Sequence, residues 1–154
     1  MSEEIKYETK RIDHLGIVAG ICQEIDLIAQ VDAALGRCER KVSCGQAVQA
    51  MVLNALGFIS RVLYLMPDYL ANKPVELLIG EGLNAEDFND DSPGRTLDDL
   101  YAAGVTEVFA RVAAHAVRAY GIEVRFAHLD TSSFHLHGEY EAGEPQAIEI
   151  VRGY

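Results

Sequence analysis

The sequence predicts an α+β chain, with a mainly helical N-terminal part over residues 7–121 and three short antiparallel strands within 122–154. Three observations carry that prediction. Apolar residues recur at three- and four-residue spacing as far as Tyr120, which is the helical period. Gly121 interrupts the pattern, and beyond it the period falls to two, the alternation of strands. Apolar residues make up 49% and charged residues 24%, an ordinary globular balance that excludes disorder and fibrous repeats.

Taken in order, residues 14–25 (HLGIVAGICQEI) place Leu15, Val18, Ile21, Cys22 and Ile25 on one helical face. Residues 27–35 repeat the pattern more briefly before Gly36, so a helical hairpin is expected. Ser43 can accept from the amide three residues on while Gln46 reaches back, a capping box that starts a helix running to about Phe58. Its stripe is Val48, Met51, Val52, Ala55 and Phe58, widened by Leu53 and Leu56, so this helix is expected at the centre of its lobe.

Residues 62–83 read as short helices broken at Pro67 and Pro74. Residues 84–93 (NAEDFNDDSP) read as a polar connection. They lack the glycine and terminal Glu spacing of a calcium loop, so a solvated loop is expected rather than a metal site. A short helix over 96–103 and a longer one over 105–120 follow, the second with Val105, Val108, Phe109, Val112 and Ala116 on one face. The strands are placed at 122–129, 133–140 and 147–151.

The net charge of −11 is uneven. Residues 1–61 carry seven basic and eight acidic side chains, whereas 62–154 carry six and sixteen. Such a surface repels nucleic acid and anionic membranes at long range, so a nucleic-acid partner needs separate support. Three cysteines, Cys22, Cys38 and Cys44, form no C-x-x-C pair, which argues against a disulfide framework or zinc knuckle and places the chain in a reducing, cytoplasmic compartment. The polar, acidic start is no secretory signal. Residues 42–60 carry no charge, but Ser43, Gln46, Gln49 and Asn54 make them a core helix rather than a membrane span.

Chemistry-bearing residues gather in 125–138 (RFAHLDTSSFHLHG). Asp130 closes the first strand, where a stiff scaffold can offer a carboxylate to a metal or substrate. On residue statistics alone, a cap of the turn with Thr131, Ser132 and Ser133 is the commoner role. His128, His135 and His137 could gather around a transition metal, or stand as ordinary strand histidines. No G-x-S-x-G, Walker or dinucleotide glycine motif occurs.

The strings RIDHLGIVAGICQEI, KVSCGQAVQAMVLNALGF, NKPVELLIGEG, GRTLDDLYAAGVTEVFARVA and HLDTSSFHLHGEY, in that order, resemble the N-terminal part of bacterial insertion-sequence transposases of the DDE group. Those enzymes have an RNase H-like catalytic core, and the resemblance runs from Tyr7 to Tyr154. It implies a helical domain over 7–121 and the incomplete start of that core over 122–154. It also implies that Asp130 is the first of three carboxylates, catalytic and metal-binding. The family's chemistry uses two Mg²⁺ ions about 3.5–4 Å apart to drive phosphodiester displacement. Glu139, Glu141, Glu144 and Glu149 do not match the second Asp or the Glu, so the expectation is a transposase fragment, truncated and inactive alone, that binds no Mg²⁺ tightly.

The implied partners are DNA terminal inverted repeats, a second copy, or a full-length transposase, with no membrane role. The rival reading is a non-catalytic module that binds DNA or a transposase. Its candidate phosphate contacts are Arg37, Arg40, Lys41 and Arg61. A third reading, a standalone metalloprotein on His128, His135 and His137, predicts bound zinc.

Overall fold

In the structure, a computed structural model that describes residues 7, 9–36, 40–123 and 125, the first two helices form the expected hairpin. Helix α1 (Leu15–Glu24) and helix α2 (Leu27–Leu35) are joined through Asp26, whose φ of 55° is left-handed. Asp is one of the few residues besides Gly that tolerate that conformation. Helix α1 buries Leu15, Ala19 and Cys22, while Ile21 stays exposed, so the buried face is rotated from the predicted one.

Helix α3 (Cys44–Ala55) starts at the predicted capping box. Gln46 N donates to Ser43 Oγ at 3.2 Å, and Ser43 N donates to Gln46 Oε1 at 2.9 Å. The helix is central, as expected, because it feeds two apolar clusters. Ala47, Ala50 and Leu53 join the first, with Leu15, Met66, Leu70, Leu78 and Phe88. Cys44 joins the second, with Cys22, Leu27, Val31 and Val108, and Val48 and Val52 pack against it. The helix ends at Ala55, three residues early, and leaves Ala55 and Phe58 exposed rather than on a buried stripe. At its end the Leu56 amide still reaches Val52 O, but Gly57 bonds to Asn54 O and tightens the turn.

Pro67 starts a helix rather than breaking one, since it lies in the first turn of α4 (Met66–Leu70), where a missing N–H costs little. Pro74 likewise precedes α5 (Val75–Leu78). The acidic connection is more ordered than expected. Residues Ala85–Phe88 form a 3₁₀ turn capped by Asn84 and Asp87, and α6 (Asp91–Ala103) begins five residues before the predicted start at Thr96. Pro93 is buried in its first turn, where helix amides lack acceptors anyway. After Gly104, with φ of 87°, helix α7 (Val105–Ala119) packs against α2 and α6.

The predicted α+β class is corrected by the structure: among the described residues every regular element is a helix and no strand occurs. The first expected strand fails at its start for a local reason. The amide of Ile122 bonds to Val117 O at 2.9 Å and that of Gly121 to Arg118 O at 3.3 Å, with Gly121 left-handed at φ 59°. This is a Schellman closure, so Ile122 spends its amide on the end of α7 rather than on a sheet ladder. The rest of the three expected strands, apart from Glu123 and Arg125, lies outside the described residues.

The chain divides into a unit spanning Met1–Glu123 and another spanning Val124–Tyr154; the seven α-helices and both apolar clusters found among the described residues belong to the first. No helix among the described residues is long and apolar enough to cross a membrane.

Candidate functional site

The four cations singled out in the sequence do not form one patch. Arg37 lies outside the described residues. Arg40 and Lys41 precede the N-terminus of α3, and Arg61 follows its C-terminus. Twelve helical residues separate the two ends by about 18 Å. Arg40 donates to the Asp99 carboxylate of α6, and to Cys44 Sγ at 3.0 Å. Lys41 Nζ grips both oxygens of Asp87, at 2.9 and 2.7 Å. Burial pushes the Asp87 carboxyl up, but the Lys41 hydrogen bond, the Asn84 amide and the Lys41 charge outweigh it and hold it below the usual carboxylate value. These two cations therefore act first as ties between the start of α3 and the acidic segment.

Arg61 instead joins two residues that the sequence did not single out. Together with Arg11 and Lys73 it lines a hollow of about 250 Å³ between the start of α1, the turn after α3, and α4. The main chain fixes this geometry. Buried Asn54 accepts from Arg61 N at 2.8 Å and donates through Nδ2 to Arg61 O at 2.6 Å, so the loop beyond α3 is clamped back on the helix. Arg11 N donates to Asn72 O at 2.8 Å and ties the segment before α1 to the end of α4. Tyr69 forms the floor, its hydroxyl donating to Leu53 O at 2.7 Å. Gly57 leaves room for that hydroxyl, because a Cβ there would lie 2.6 Å from it.

Lys73 is only 7% exposed, and its Nζ sits 4.9 Å from the centroid of the Tyr69 ring. The ring face offers it cation–π attraction, and among the described residues no carboxylate pairs with it. The guanidinium groups of Arg11 and Arg61 also make no ion pair among the described residues. Asp13 and Asp68 line the same hollow, and burial, then the Asp13 charge, push the Tyr69 phenol up. His14 stands on one wall. Its Nε2–H donates to Leu56 O at 2.6 Å, so the proton is assigned to Nε2, and its ring backs Phe58 with centroids 4.3 Å apart at a tilt of 53°.

A larger hollow of about 550 Å³ lies between α1 and α5, but no Lys, Arg or His lines it.

Asp130, His128, His135 and His137 lie outside the described residues, as does Cys38. Among the described residues no group of three or more His, Cys, Asp or Glu side chains is placed to hold a metal ion. Cys22 and Cys44 are buried free thiols, and burial pushes the Cys22 thiol up. His115 is half-buried on α7.

A family model described as "Domain of unknown function (DUF4277)" matches residues 7–114, which takes in helices α1 to α6 and most of α7. Neither a curated protein nor a solved structure gives a significant match.

Proposed function

The chain belongs to the DUF4277 family, a domain of unknown function, and we propose that it is the helical N-terminal domain of a DDE-type insertion-sequence transposase, acting in DNA transposition. Support comes from five blocks of sequence that resemble such transposases in order. Four of them fall within the matched domain, and the fifth contains Asp130.

The observation that carries the DNA part of the proposal is the convergence of Arg11, Arg61 and Lys73 on one hollow of a chain with net charge −11. Without local cations, such a chain would be repelled by a phosphate backbone. Fields from distant carboxylates fade beyond the screening length of about 8 Å at physiological salt, and the three cations outnumber Asp13 and Asp68, the two carboxylates that line the same hollow, so the local charge remains positive. Asp130, on the same proposal, is the first carboxylate of the family's metal-binding set, and Mg²⁺ held by the complete set would supply charge stabilisation for phosphodiester displacement.

The test is fluorescence anisotropy of the 154-residue chain with a duplex carrying terminal inverted-repeat sequence, across a salt series. Binding whose log affinity falls with log salt by about 0.9 per neutralised phosphate is expected. No binding at low salt overturns the proposal.

A second reading, a non-catalytic module that associates with itself or with a transposase, is favoured by a specific surface. Tyr101 on α6 and Val105 and Phe109 on α7 are all more than half exposed. Sedimentation at rising concentration tests it.

A further inference from the structure

We infer that the hollow of Arg11, Arg61 and Lys73 takes an unpaired nucleotide of a DNA strand, its phosphate against the three cations and its base stacked on Phe58. The inference rests on the DNA reading above, and adds which form of DNA the site prefers.

Lys73 is the starting point. A lysine nine-tenths removed from water carries a desolvation penalty unless something neutralises it. The Tyr69 ring face compensates in part, and among the described residues no carboxylate forms an ion pair with it, although Asp13 and Asp68 line the same hollow. The hollow that Lys73 lines is therefore suited to an anion. Arg11 and Arg61 line it too, and a guanidinium presents a planar fork that matches two oxygens of one phosphate.

The size of the hollow limits what enters. At about 250 Å³ it falls below the roughly 300–1,000 Å³ of pockets that enclose a whole organic ligand. A phosphate fits inside, and the attached base remains at the rim. Phe58 stands on that rim, 81% exposed, yet its ring is not loose, since His14 backs it and is itself anchored to Leu56 O. An exposed aromatic ring with a fixed backing beside cations is the combination by which proteins hold unpaired strands, because every base has a face to stack.

The two carboxylates argue for the same ligand. Asp13 and Asp68 hold the hollow to a formal charge of +1, which matches one phosphate more closely than the dense double row of a duplex. A carboxylate can accept from the amino groups of a base edge, and in an unpaired base the Watson–Crick edge is free to donate. In a duplex that edge is occupied.

The experiment compares a blunt duplex, the same duplex with a single-stranded tail, and inorganic phosphate as competitor, all with the full chain. The tailed duplex is expected to bind on the order of tenfold more tightly than the blunt one, a factor within the range of base–aromatic stacking. Phe58→Leu, which keeps an apolar side chain but loses the ring face, should bring the tailed duplex down to the blunt level. Arg61→Ala, at an exposed position, should weaken the tailed duplex, and phosphate should compete. Equal affinity for tailed and blunt duplexes, or a tail preference that survives Phe58→Leu, overturns the inference and leaves the transposase reading standing. Failure to bind any DNA overturns that reading itself.

Discussion

The amide of Gly45, at the first turn of α3, donates to Asp32 Oδ1 of α2 at 2.6 Å. A helix has no internal acceptor for its first amides, so a carboxylate from the neighbouring helix serves as an external cap and also favours the positive end of the helix dipole. The bond forms at a close approach of the two helices. A Cβ on Gly45 would lie 2.7 Å from Ile28 Cα and 2.8 Å from its carbonyl carbon.

Gly45→Ala should therefore push α2 from α3 rather than displace a flexible side chain. Overpacking of this kind costs about 1–3 kcal/mol, which exceeds the gain of about 1 kcal/mol that Ala brings to a helix interior. At Gly20 in α1, by contrast, a Cβ would meet no heavy atom within 4 Å beyond the backbone of its own helix. There Gly20→Ala should raise stability by up to about 1 kcal/mol. Urea unfolding of the two variants checks the contrast, and a stabilised Gly45→Ala would refute the close-approach account.

The Lys41–Asp87 pair sets a pH dependence. Asp87 has a folded-state pKa below its ordinary 3.8, so its contribution is fully present above 3.8 and is lost as pH falls through the lower folded value. Lys41→Met removes the hydrogen bond and charge that lower it. The variant should unfold at lower urea concentration than wild type near neutrality, and the gap should close on the acid side of 3.8. A gap of constant size down to strong acid would show that Lys41 acts through packing alone.

What was legible in the sequence was what is local. Ser43 and Gln46 are three residues apart and cap each other without help from the rest of the chain, and Gly121 stops α7 by its own φ. The end of α3 falls short of Phe58 because it is set by Asn54 and Arg61, seven residues apart through a loop with no periodic signal. The start of α6 was hidden by Pro93 and a run of turn-forming acids, which a first turn accommodates. The hollow was illegible for a stronger reason. Arg11, Arg61 and Lys73 share no spacing, and only the packing of α1 and α4 against the end of α3 brings them together. Of the cations that are adjacent in sequence, Arg40 and Lys41 are paired with carboxylates.

Self-association and DNA binding should respond to salt in opposite directions. Tyr101, Val105 and Phe109 expose apolar surface over α6 and α7, while the net charge of −11 opposes the approach of two copies. Added salt screens that repulsion and should raise the sedimentation-average mass, whereas it should weaken binding to phosphate. Phe109→Asp should keep the chain monomeric at all salt concentrations. A mass that is low and independent of salt in the unaltered chain would remove the support this surface gives to a self-associating module.

Asn54 links stability to the site. It is 4% exposed, and both of its polar atoms are committed to the main chain of Arg61. Asn54→Leu preserves bulk but leaves Arg61 N and O without those partners, a loss of about 1–3 kcal/mol for each buried group that water cannot reach. Arg61 is exposed, so water should recover part of that loss, and a net destabilisation of about 1–2 kcal/mol is expected in urea unfolding. The functional consequence should be larger than the thermodynamic one. With the clamp gone, the guanidinium no longer starts from a fixed point on the rim of the hollow, and ordering it on a phosphate must be repeated at each encounter. DNA affinity of the folded variant should fall nearly as far as that of Arg61→Ala, and combining the two substitutions should add little, because both remove the same contact. Full additivity in that double-mutant cycle would mean that Asn54 supports the fold without positioning Arg61.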